Sequence, residues 1–516
     1  MKRLLNRYAY GLLTLAFGGM VFLFWRLRYP FALVYQEQFQ LFLYDWDYLY
    51  ERMAEPGGFA RYVAEFLVQF YNSVTIGAAI VAGLYMLVQR LTWRLTDSEG
   101  HYALSFIPAV MLWYAMGDES VMLTYVTALI MAMVVALAWR RWSGKRAQWV
   151  KWVSALLIIP VTYWLIGPMV LLTAVLMTPW LTAGAAAVYS LALILLSTHC
   201  LPFPMMRVVT GIGYYRLLVT LPYILILIPA GVWLLVCFVN RLPKARRWVN
   251  AVEVMLVLVV MVQLVELGYD KKKYELIEYD YLVRIRDWKG IIAKAEKQTP
   301  DLPMSVSSMN LALAMTNQLG DRAFEFYQRG SEGLLPLFER NFATTQLSGE
   351  VYFYLGMINT AQRFAFEAME AIPDYNKSGR AIKRLAETNL INGQYEVARK
   401  YLRMLEKTIF YRPWARQTMA MLGDEKQIDA HPLYGTLRQY RLEDDFLFSE
   451  DELDKICGQL FMHNHHNQMA TQYLVMAPLL DGDVQRFINY VSYVQSKVNY
   501  NPRYVREAIA KIRRMK

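Results

Sequence analysis

The chain has 516 residues, of which 56% are hydrophobic and 19% are charged, and its formal net charge is +11. The positive charge is spread over loops and helical faces, whereas nucleic-acid binding favours a clustered basic stripe, so the composition argues against a nucleic-acid partner. The three cysteines lie far apart in the sequence, and this spacing argues against a disulfide framework.

The composition changes near residue 268. Residues 1–268 consist of long apolar runs separated by short basic loops, whereas residues 269–516 are charged and amphipathic. A transmembrane helix needs ~20 consecutive apolar residues, and the second half has no run near that length. Backbone groups in lipid must be paired within their own segment, so the apolar runs are expected to be helices. The sequence therefore predicts an all-α protein with a transmembrane domain, 1–268, and a soluble domain, 269–516.

The apolar runs predict eight or nine membrane spans. The well-delimited runs are 8–27, 73–90, 102–116, 121–139, 152–166, 217–239 and 249–267. Met169–Ser197 is broken by Pro179, so it predicts either two short spans or one span with a re-entrant segment. The first run lacks a small-residue cleavage site, which favours a retained span over a signal peptide.

Basic residues mark one side of the membrane. They cluster at the N-terminus, after the second and fourth spans, and before the last span. Because basic loops remain in the cytoplasm, the N-terminus is expected to be cytoplasmic, and nine spans place all four clusters on that side. The loops 35–71, 117–120 and 198–216 and the soluble domain are then outside. Lys271–Lys273 breaks this pattern, which long translocated domains commonly do.

The loop 35–71 is too polar to span a bilayer and too aromatic to be a solvated linker. Phe39, Leu43 and Tyr50 on one side of Pro56-Gly57-Gly58, and several aromatic residues after it, predict two short amphipathic helices with a hinge between them. Such helices are expected to lie at the membrane surface.

Acidic residues occur in two of the outer loops. Asp118 and Glu119 form a turn between the third and fourth spans, and Glu37 opens the first outer loop. Acidic residues close to lipid usually serve a site or have a specific partner. The alternatives are a simple polar turn capped by Asp118 and Ser120, and a solvated surface position for Glu37.

This arrangement resembles the GT-C class of integral-membrane glycosyltransferases. Those enzymes carry an acid in a long first outer loop and a second acidic motif in the next outer loop, which Glu37 and Asp118-Glu119 would match. The resemblance covers about the first 140 residues. It implies a polyprenyl-phosphate-linked sugar donor and an outer-face soluble domain. The second motif here is two adjacent acids rather than a spaced DxD, and no WWD-type acceptor motif occurs, so the acceptor is left open between protein and envelope glycan.

The stretches EQFQLFL and PGGFARYVAEFLVQF are also similar to an uncharacterised family of Bacteroidota membrane proteins. This second resemblance carries no known function to transfer, but it implies a bacterial inner membrane. The soluble domain, which the basic loops place outside, is then expected in the periplasm.

Glycosyl transfer needs a base and positive charge on the leaving phosphate. Glu37 is the candidate base or a carboxylate ligand of a shared metal. Asp118 and Glu119 are candidate ligands of Mg²⁺ or Mn²⁺, which favour carboxylate oxygens.

The loop 198–216 supplies the candidate contacts to the donor phosphate. These are Arg207, Arg216 and His199, since arginine binds phosphate through two parallel hydrogen bonds. The alternative is that these basic side chains snorkel from span ends.

The second half predicts paired helices in the manner of tetratricopeptide repeats. Turns near Asp287, Gly320, Asn359 and Gly393 recur at intervals close to the ~34 residues of that repeat, and a further pair turns at Gly482. The pattern resembles a TPR-like α-solenoid, which would bind an extended polypeptide, an acceptor or a partner subunit.

Two functions of different class remain open. One is a GT-C-like glycosyltransferase, including an oligosaccharyltransferase, with a periplasmic TPR-like domain. The other is a non-catalytic membrane scaffold whose solenoid recruits partners in cell-envelope assembly. A transporter is disfavoured, because no ionisable residue lies convincingly in the middle of a span.

Overall fold

The computed structural model describes residues 2–96, 100–144, 146–178, 180–216, 222–243, 247–339, 341–374, 376–443, 445 and 453–515. Within these ranges the regular secondary structure is helical, and two isolated bridges are the nearest approach to a strand. The predicted all-α fold is therefore confirmed for this part of the chain. The chain divides into two compact units, Met1–Lys271 and Lys272–Lys516.

The first unit, called the membrane unit below, consists of helices joined mostly by short loops. Its helices within the described ranges are α1 (Lys2–Leu23), α2 (Pro30–Glu37), α3 (Trp46–Met53), α4 (Gly58–Val68), α5 (Val74–Thr96), α6 (Ile107–Ala115), α7 (Leu123–Ser143), α8 (Gln148–Ile166), α9 (Val170–Met177), α10 (Trp180–Ser197), α11 (Met205–Thr210), α12 (Tyr223–Val239) and α13 (Arg247–Leu267). A π-helix, Phe24–Arg28, continues α1. Short 3₁₀ turns occupy Gln69–Asn72, Tyr102–Phe106 and Gly167–Met169.

Among the residues that the structure describes, five helical segments are long and apolar enough to cross a membrane. They are Tyr8–Arg28, Val74–Thr96, Leu123–Ser143, Gln148–Met177 and Trp248–Leu267. Three shorter apolar helices are Tyr102–Ala115, Thr182–Ser197 and Tyr223–Val239. The structure thus supports a membrane protein with five candidate spans, while the predicted total of eight or nine stays a prediction. The start of the predicted span at 217–221 and Pro179 lie outside the described residues, as do Lys145, Lys244 and Arg246 of the basic loops.

The longest apolar segment is broken between α8 and α9. Gly167 has φ +69° and ψ −149°, a conformation that ends α8 and redirects the chain. The following helix α9 has only eight residues, about 12 Å at 1.5 Å per residue. Most of its side chains are nonetheless buried by the neighbouring protein. The carbonyls of Leu176 and Met177, at its far end, accept hydrogen bonds from Arg140 and Trp139 near the end of α7.

The loop 35–71 contains two short helices, α3 and α4, on either side of a hinge at Gly57. Phe39 and Leu43, which the sequence placed on the first helix, instead lie in a non-helical stretch before α3. Gly57 is left-handed, with φ +87°, and its amide donates to the Trp164 carbonyl at 2.8 Å. The Thr127 hydroxyl of α7 donates to the Ala60 carbonyl of α4 at 2.9 Å. Helix α4 therefore packs against α7 and the end of α8 instead of resting only on a membrane surface.

The second unit, called the repeat unit below, is a stack of shorter helices. These helices within the described ranges are α14 (Lys271–Arg284), α15 (Trp288–Lys297), α16 (Pro303–Met315), α17 (Leu319–Arg322), α18 (Phe342–Leu355), α19 (Ile358–Glu370), α20 (Gly379–Ile391), α21 (Tyr395–Glu406), α22 (Arg412–Ala420), α23 (Glu425–Ala430), α24 (Tyr434–Tyr440), α25 (Leu453–His463), α26 (Gln468–Asp481), α27 (Val484–Gln495) and α28 (Arg503–Met515). Helix α14 starts at Lys271, the last residue of the membrane unit.

Helical pairs form at four of the predicted turns, and the first of them, α14 and α15, turns at residues 285–287. Left-handed glycines end α18 at Gly356, the α20 turn at Gly393 and α26 at Gly482, where φ lies between +74° and +94°. The pair predicted around Gly320 is wrong, because this glycine lies in the four-residue helix α17 and the chain then runs without a long helix to residue 339. The repeat unit therefore contains helical pairs with an interruption, and the TPR-like solenoid stays a prediction.

Candidate active site between two loops

A short loop of sequence GIGYYR, residues 211–216, is the centre of the candidate site. Gly211 has φ +108° and Gly213 has φ +74°, which L-residues with side chains rarely adopt. A Cβ atom on Gly211 would lie 2.3 Å from the ring of Tyr214. The two glycines thus allow the chain to turn tightly and to present Tyr214, Tyr215 and Arg216 in succession.

This loop is hydrogen-bonded to the acidic turn between α6 and α7. The Met122 amide donates to the Tyr214 carbonyl at 2.9 Å, and the Arg216 amide donates to the Ser120 carbonyl at 2.7 Å. Val121 and Tyr215 form an antiparallel bridge. Two segments almost a hundred residues apart in sequence therefore lie side by side.

Asp118 has a different partner on each carboxylate oxygen. Oδ1 accepts the Ser120 amide at 2.9 Å, which is the local turn-capping bond that the sequence allowed as an alternative. Oδ2 accepts the hydroxyl of Tyr215 at 2.5 Å. Burial and this hydrogen bond both raise the pKa of Tyr215, so the phenol stays a proton donor to Asp118. The turn is therefore capped, and it also holds the loop through a side-chain contact.

Arg216 connects the acidic turn to the loop 35–71. Its Nη2 donates to Glu119 at 3.1 Å, and both side chains are only 6% exposed. Its guanidinium lies over the ring of Phe39 at 3.8 Å and near that of Tyr35 at 5.6 Å. Its Nη1 is buried and has no hydrogen-bond acceptor among the described residues. Arg216 thus carries a desolvated donor that no described residue uses.

Glu37 ends α2 and belongs to the same neighbourhood. It is 4% exposed, so the solvated surface position considered from the sequence is wrong. In sequence it lies two residues from both Tyr35 and Phe39, the two rings beside Arg216. The structure thereby brings the segment that holds Glu37 to Arg216 and, through Arg216, to Glu119.

Of the two remaining basic candidates, Arg207 contacts the GIGYYR loop and His199 makes none of the contacts described above. Arg207, on α11, donates from Nη1 to the Tyr215 carbonyl at 2.7 Å. His199 lies in an exposed turn after α10 and makes none of the contacts described above for the cluster. Arg207 therefore supports the loop, whereas His199 has no contact there that would support a role.

An apolar cavity of about 310 Å³ adjoins the cluster. It is lined by the helix break at Pro168 and Met169, by Tyr214 and Tyr215, and by residues of α9, α11 and α12. Met206 and Ile226, on its rim, are each 53% exposed. Tyr215 thus contacts the polar cluster through its hydroxyl and also lines an apolar cavity with exposed apolar side chains at its edge.

A buried ionic network supports the loop from the side of α4, and the sequence analysis missed it. Glu65, fully buried, accepts from Arg61 Nε at 3.1 Å, from Arg52 Nε at 2.7 Å and from the Tyr48 hydroxyl. A Cβ on Gly213 would lie 3.4 Å from Arg61, so this network packs directly against the loop. Burial lowers the pKa of Arg52, but the upward effect of the Glu65 carboxylate and the Tyr48 hydroxyl is larger, so the pKa is raised overall.

One local signal could have indicated this network. Arg61 and Glu65 are four residues apart on an apolar amphipathic helix.

The donor set for a metal ion is small. Among the described residues, no group of three or more His, Cys, Asp and Glu side chains has the arrangement of a metal site. Asp118 and Glu119 both have protein partners. A magnesium ion that is bound mainly by substrate phosphates needs only one or two carboxylates. The Mg²⁺ or Mn²⁺ prediction therefore stays a prediction.

Five candidate membrane spans among the described residues indicate a membrane protein. Its buried acid–arginine cluster lies on a loop whose Tyr214 and Tyr215 line an apolar cavity. The chain belongs to DUF6057, a family of unknown function whose model matches residues 6–515. No curated protein and no solved structure matches the chain. The similarity to GT-C enzymes and to TPR repeats therefore rests on the sequence features alone.

Proposed function

We propose that this protein is a membrane glycosyltransferase that transfers a saccharide from a polyprenyl-phosphate-linked donor to a protein or envelope-glycan acceptor. The proposal rests mainly on the surroundings of the Arg216 side chain. Its guanidinium is buried, its Nη1 has no acceptor among the described residues, and its loop neighbours Tyr214 and Tyr215 line the apolar cavity, a combination that suits the phosphate of a lipid-linked substrate. Buried donors without partners are costly, and a phosphate oxygen would relieve that cost.

Each group has a stated task in the transfer. The acceptor hydroxyl or amide gives its proton to the Glu37 carboxylate as its heteroatom bonds to the anomeric carbon of the sugar. The bond from that carbon to the phosphate oxygen breaks, and the polyprenyl phosphate leaves with the bonding electron pair. Arg216 stabilises the developing phosphate charge, which is the main electrostatic requirement of such a step. Tyr215 and Asp118 hold the loop that carries Arg216.

The apolar cavity is the proposed site of the lipid chain next to the phosphate. Its lining includes Pro168 and Met169 of the helix break, and broken helices in membrane proteins often form substrate sites. The exposed Met206 and Ile226 on its rim would let a prenyl chain extend into the bilayer. A water-soluble sugar nucleotide would have no use for this apolar opening.

The contact between the two loops supports the nine-span topology. Because the Arg216 amide binds the Ser120 carbonyl, both loops lie on one side of the membrane. The chain between them would then cross an even number of times. Two crossings by α7 and α8, with α9 and α10 as a re-entrant pair, would satisfy this, and so would the four crossings by α7, α8, α9 and α10 that we propose. Three helices before the acidic turn and two after the loop (α1, α5, α6, α12 and α13) bring the total to nine. Contacts of α9 with Trp139 and Arg140, far along α7, support its crossing despite its length.

The proposed location is the bacterial inner membrane, with the N-terminus in the cytoplasm. The acidic turn, the GIGYYR loop and the repeat unit are then periplasmic. The repeat unit would act as a TPR-like solenoid that binds a polypeptide or glycan acceptor or a partner subunit. A reporter fused after Lys516 should show extracytoplasmic activity, and cytoplasmic activity of that reporter would contradict this orientation.

The decisive test is complementation of a deletion strain by site variants. Mass spectrometry of lipid extracts should show that the deletion accumulates a polyprenyl-phosphate-linked saccharide. Glu37→Gln and Arg216→Gln should fail to restore its consumption, with losses of about 100-fold or more, as expected for a general base and a charge-stabilising group. Glu51→Gln changes an exposed acid of α3 and is the matched control. Full complementation by both site variants would refute the transferase.

One observation favours the scaffold as a second candidate. The carboxylates of Asp118 and Glu119 already have protein partners, in Tyr215 and Arg216, as purely structural acids would. A scaffold predicts that the same variants complement fully whenever they are folded and inserted. It also predicts that deletion of the repeat unit alone abolishes complementation without accumulation of any lipid-linked saccharide.

A further inference from the structure

Besides the basic loops of the membrane unit, the C-terminal segment of the repeat unit carries a concentrated positive charge. Residues 495–516 contain seven Lys and Arg residues and one Glu, a net charge of +6 out of +11 for the whole chain. Most of these residues are on α28, the last helix of the repeat unit. More than half of the net charge therefore lies within twenty-two residues.

This segment forms a cleft and not only a charged surface. A cleft of about 660 Å³ lies between the loop 495–501 and the exposed side of α28. Clefts of roughly 300 to 1,000 Å³ are the size class of small-ligand sites. Lys497, Arg506 and Arg513 are among its lining residues, and none of the residues that line it is acidic. The acid on α28, Glu507, pairs with Arg503 outside the lining.

The walls of the cleft are fixed by hydrogen bonds within the repeat unit. The Gln495 side chain donates to the Tyr500 carbonyl at 3.1 Å, and Arg506 donates to the Asn501 carbonyl at 3.2 Å. The apolar face of α28 is anchored by Val505, which is fully buried. The cationic side chains thus project from a backbone that is held in place.

We propose that this cleft binds an anionic saccharide. Three cations around one cleft exceed the need of a single phosphate and suit several carboxylate or phosphate groups along a chain. The other polar lining residues, Gln495, Ser496, Asn499 and Asn501, offer amides and a hydroxyl that can both donate to and accept from sugar hydroxyls. The apolar face of α28 is occupied by the core, so this helix has no free apolar face for insertion into a membrane. The assignment goes beyond the transferase proposal and does not depend on it.

Direct binding to the purified full-length protein in a polyoxyethylene detergent tests this assignment. The probe is a fluorescent tetramer of galacturonic acid, measured by anisotropy at ~0.15 M salt, where surface charges more than ~8 Å apart are largely screened. The neutral probe is maltotetraose with the same label. We expect the acidic tetramer to bind and the neutral tetramer to bind at least about tenfold more weakly, as loss of charge-assisted hydrogen bonds predicts.

Two charge-matched double variants separate a site from a diffuse field. Arg506→Gln with Arg513→Gln removes two cations that line the cleft, and Lys511→Gln with Arg514→Gln removes two cations of the same helix that do not line it. The first pair should weaken binding about tenfold or more, and the second less than about twofold.

Equal losses of probe binding in both double variants would overturn the proposed site and indicate attraction by the overall positive charge of the helix instead. Equal binding of the neutral tetramer would overturn anion recognition. Displacement of the probe by inorganic phosphate at matched charge, or equally tight binding of a four-nucleotide single-stranded DNA, would overturn the saccharide. Loss of transferase activity leaves every one of these readouts unchanged, so the two proposals fail separately.

Discussion

Two charged clusters of the membrane unit differ in how fully their groups are paired. Glu65 uses both carboxylate oxygens, accepting from Arg61 on one and from Arg52 and Tyr48 on the other. Arg216, in contrast, donates to Glu119 from Nη2 while its buried Nη1 has no acceptor among the described residues. We call the first network closed, because both oxygens of its central acid accept hydrogen bonds, and the second cluster open, because one buried donor has no acceptor among the described residues.

The difference indicates two uses of buried charge. A closed network around a fully buried acid fixes the hinge and helix α4, because removal of either sign leaves the other uncompensated. An open donor adds little to the fold, since an unmade buried hydrogen bond costs stability. A ligand that accepts a hydrogen bond from this donor would offset the cost. We therefore expect the Glu65 network to control folding and the Arg216 cluster to control activity.

The largest expected effect comes from the closed network. Glu65→Ala leaves Arg52 and Arg61 buried without their shared acid, which should cost about 3–5 kcal/mol of stability. Thermal unfolding of the purified protein in detergent should show a large drop in Tm and a low yield of folded protein. Glu51→Ala, at an exposed position of α3, is the control and should change stability by less than about 0.5 kcal/mol. A Glu65→Ala protein with unchanged Tm would contradict the closed network.

The repeat unit also contains one buried acid with arginine partners, Glu350, and one without any among the described residues, Asp445, and their pKa values shift in opposite directions. Burial raises the pKa of Glu350, but Arg384 and Arg380 lower it below the usual range. Asp445 is instead held by the Asn359 amide at 2.8 Å, and burial raises its pKa to about 6. A raised pKa in the folded state means that Asp445 adds stability below pH ~4 and that this stability is lost as the pH rises through ~6.

Asp445→Asn measures this contribution directly. Between pH 4 and pH 7 the wild-type protein should lose about 2–3 kcal/mol of stability relative to the variant, since one pKa unit corresponds to about 1.4 kcal/mol. Equilibrium unfolding of both proteins across this range gives the difference. A constant difference between them would show that Asp445 titrates at its ordinary pKa.

The sequence predicted the parts of the candidate site that a local pattern can signal. Asp118 and Glu119 are conspicuous because acids are rare beside apolar spans, and the basic loop containing Arg216 could be placed on the same side by counting spans. The partner of Asp118 could not be predicted, because Tyr215 is ninety-seven residues away and meets it only through a loop-to-turn bridge. The irregular chain after Gly320 was likewise not signalled, since its amphipathic pattern is typical of a helix.

Gly211 tests whether the open cluster depends on its loop. Alanine at this position would require φ +108° and would place Cβ 2.3 Å from the Tyr214 ring, so Gly211→Ala should cost about 1–3 kcal/mol. Gly83→Ala, in helix α5 with open space around the glycine, is the control and should be neutral or stabilising by up to about 1 kcal/mol. Thermal unfolding and saccharide consumption are measured together. Equal behaviour of the two variants would show that the loop has no fixed conformation.

Tyr215→Phe gives the smallest expected change in stability and the finest test of the open cluster. It removes one hydroxyl and leaves the ring, so the loss of the bond to Asp118 should cost only about 1 kcal/mol. Tyr223→Phe, at a 76% exposed position of α12, is the control. Saccharide consumption should fall about tenfold for Tyr215→Phe alone, because a loose loop misplaces Arg216 and small displacements cost rate steeply. If consumption instead follows Tm in every variant, Arg216 has no task beyond the fold, and the open donor would then be a tolerated imperfection rather than a substrate contact.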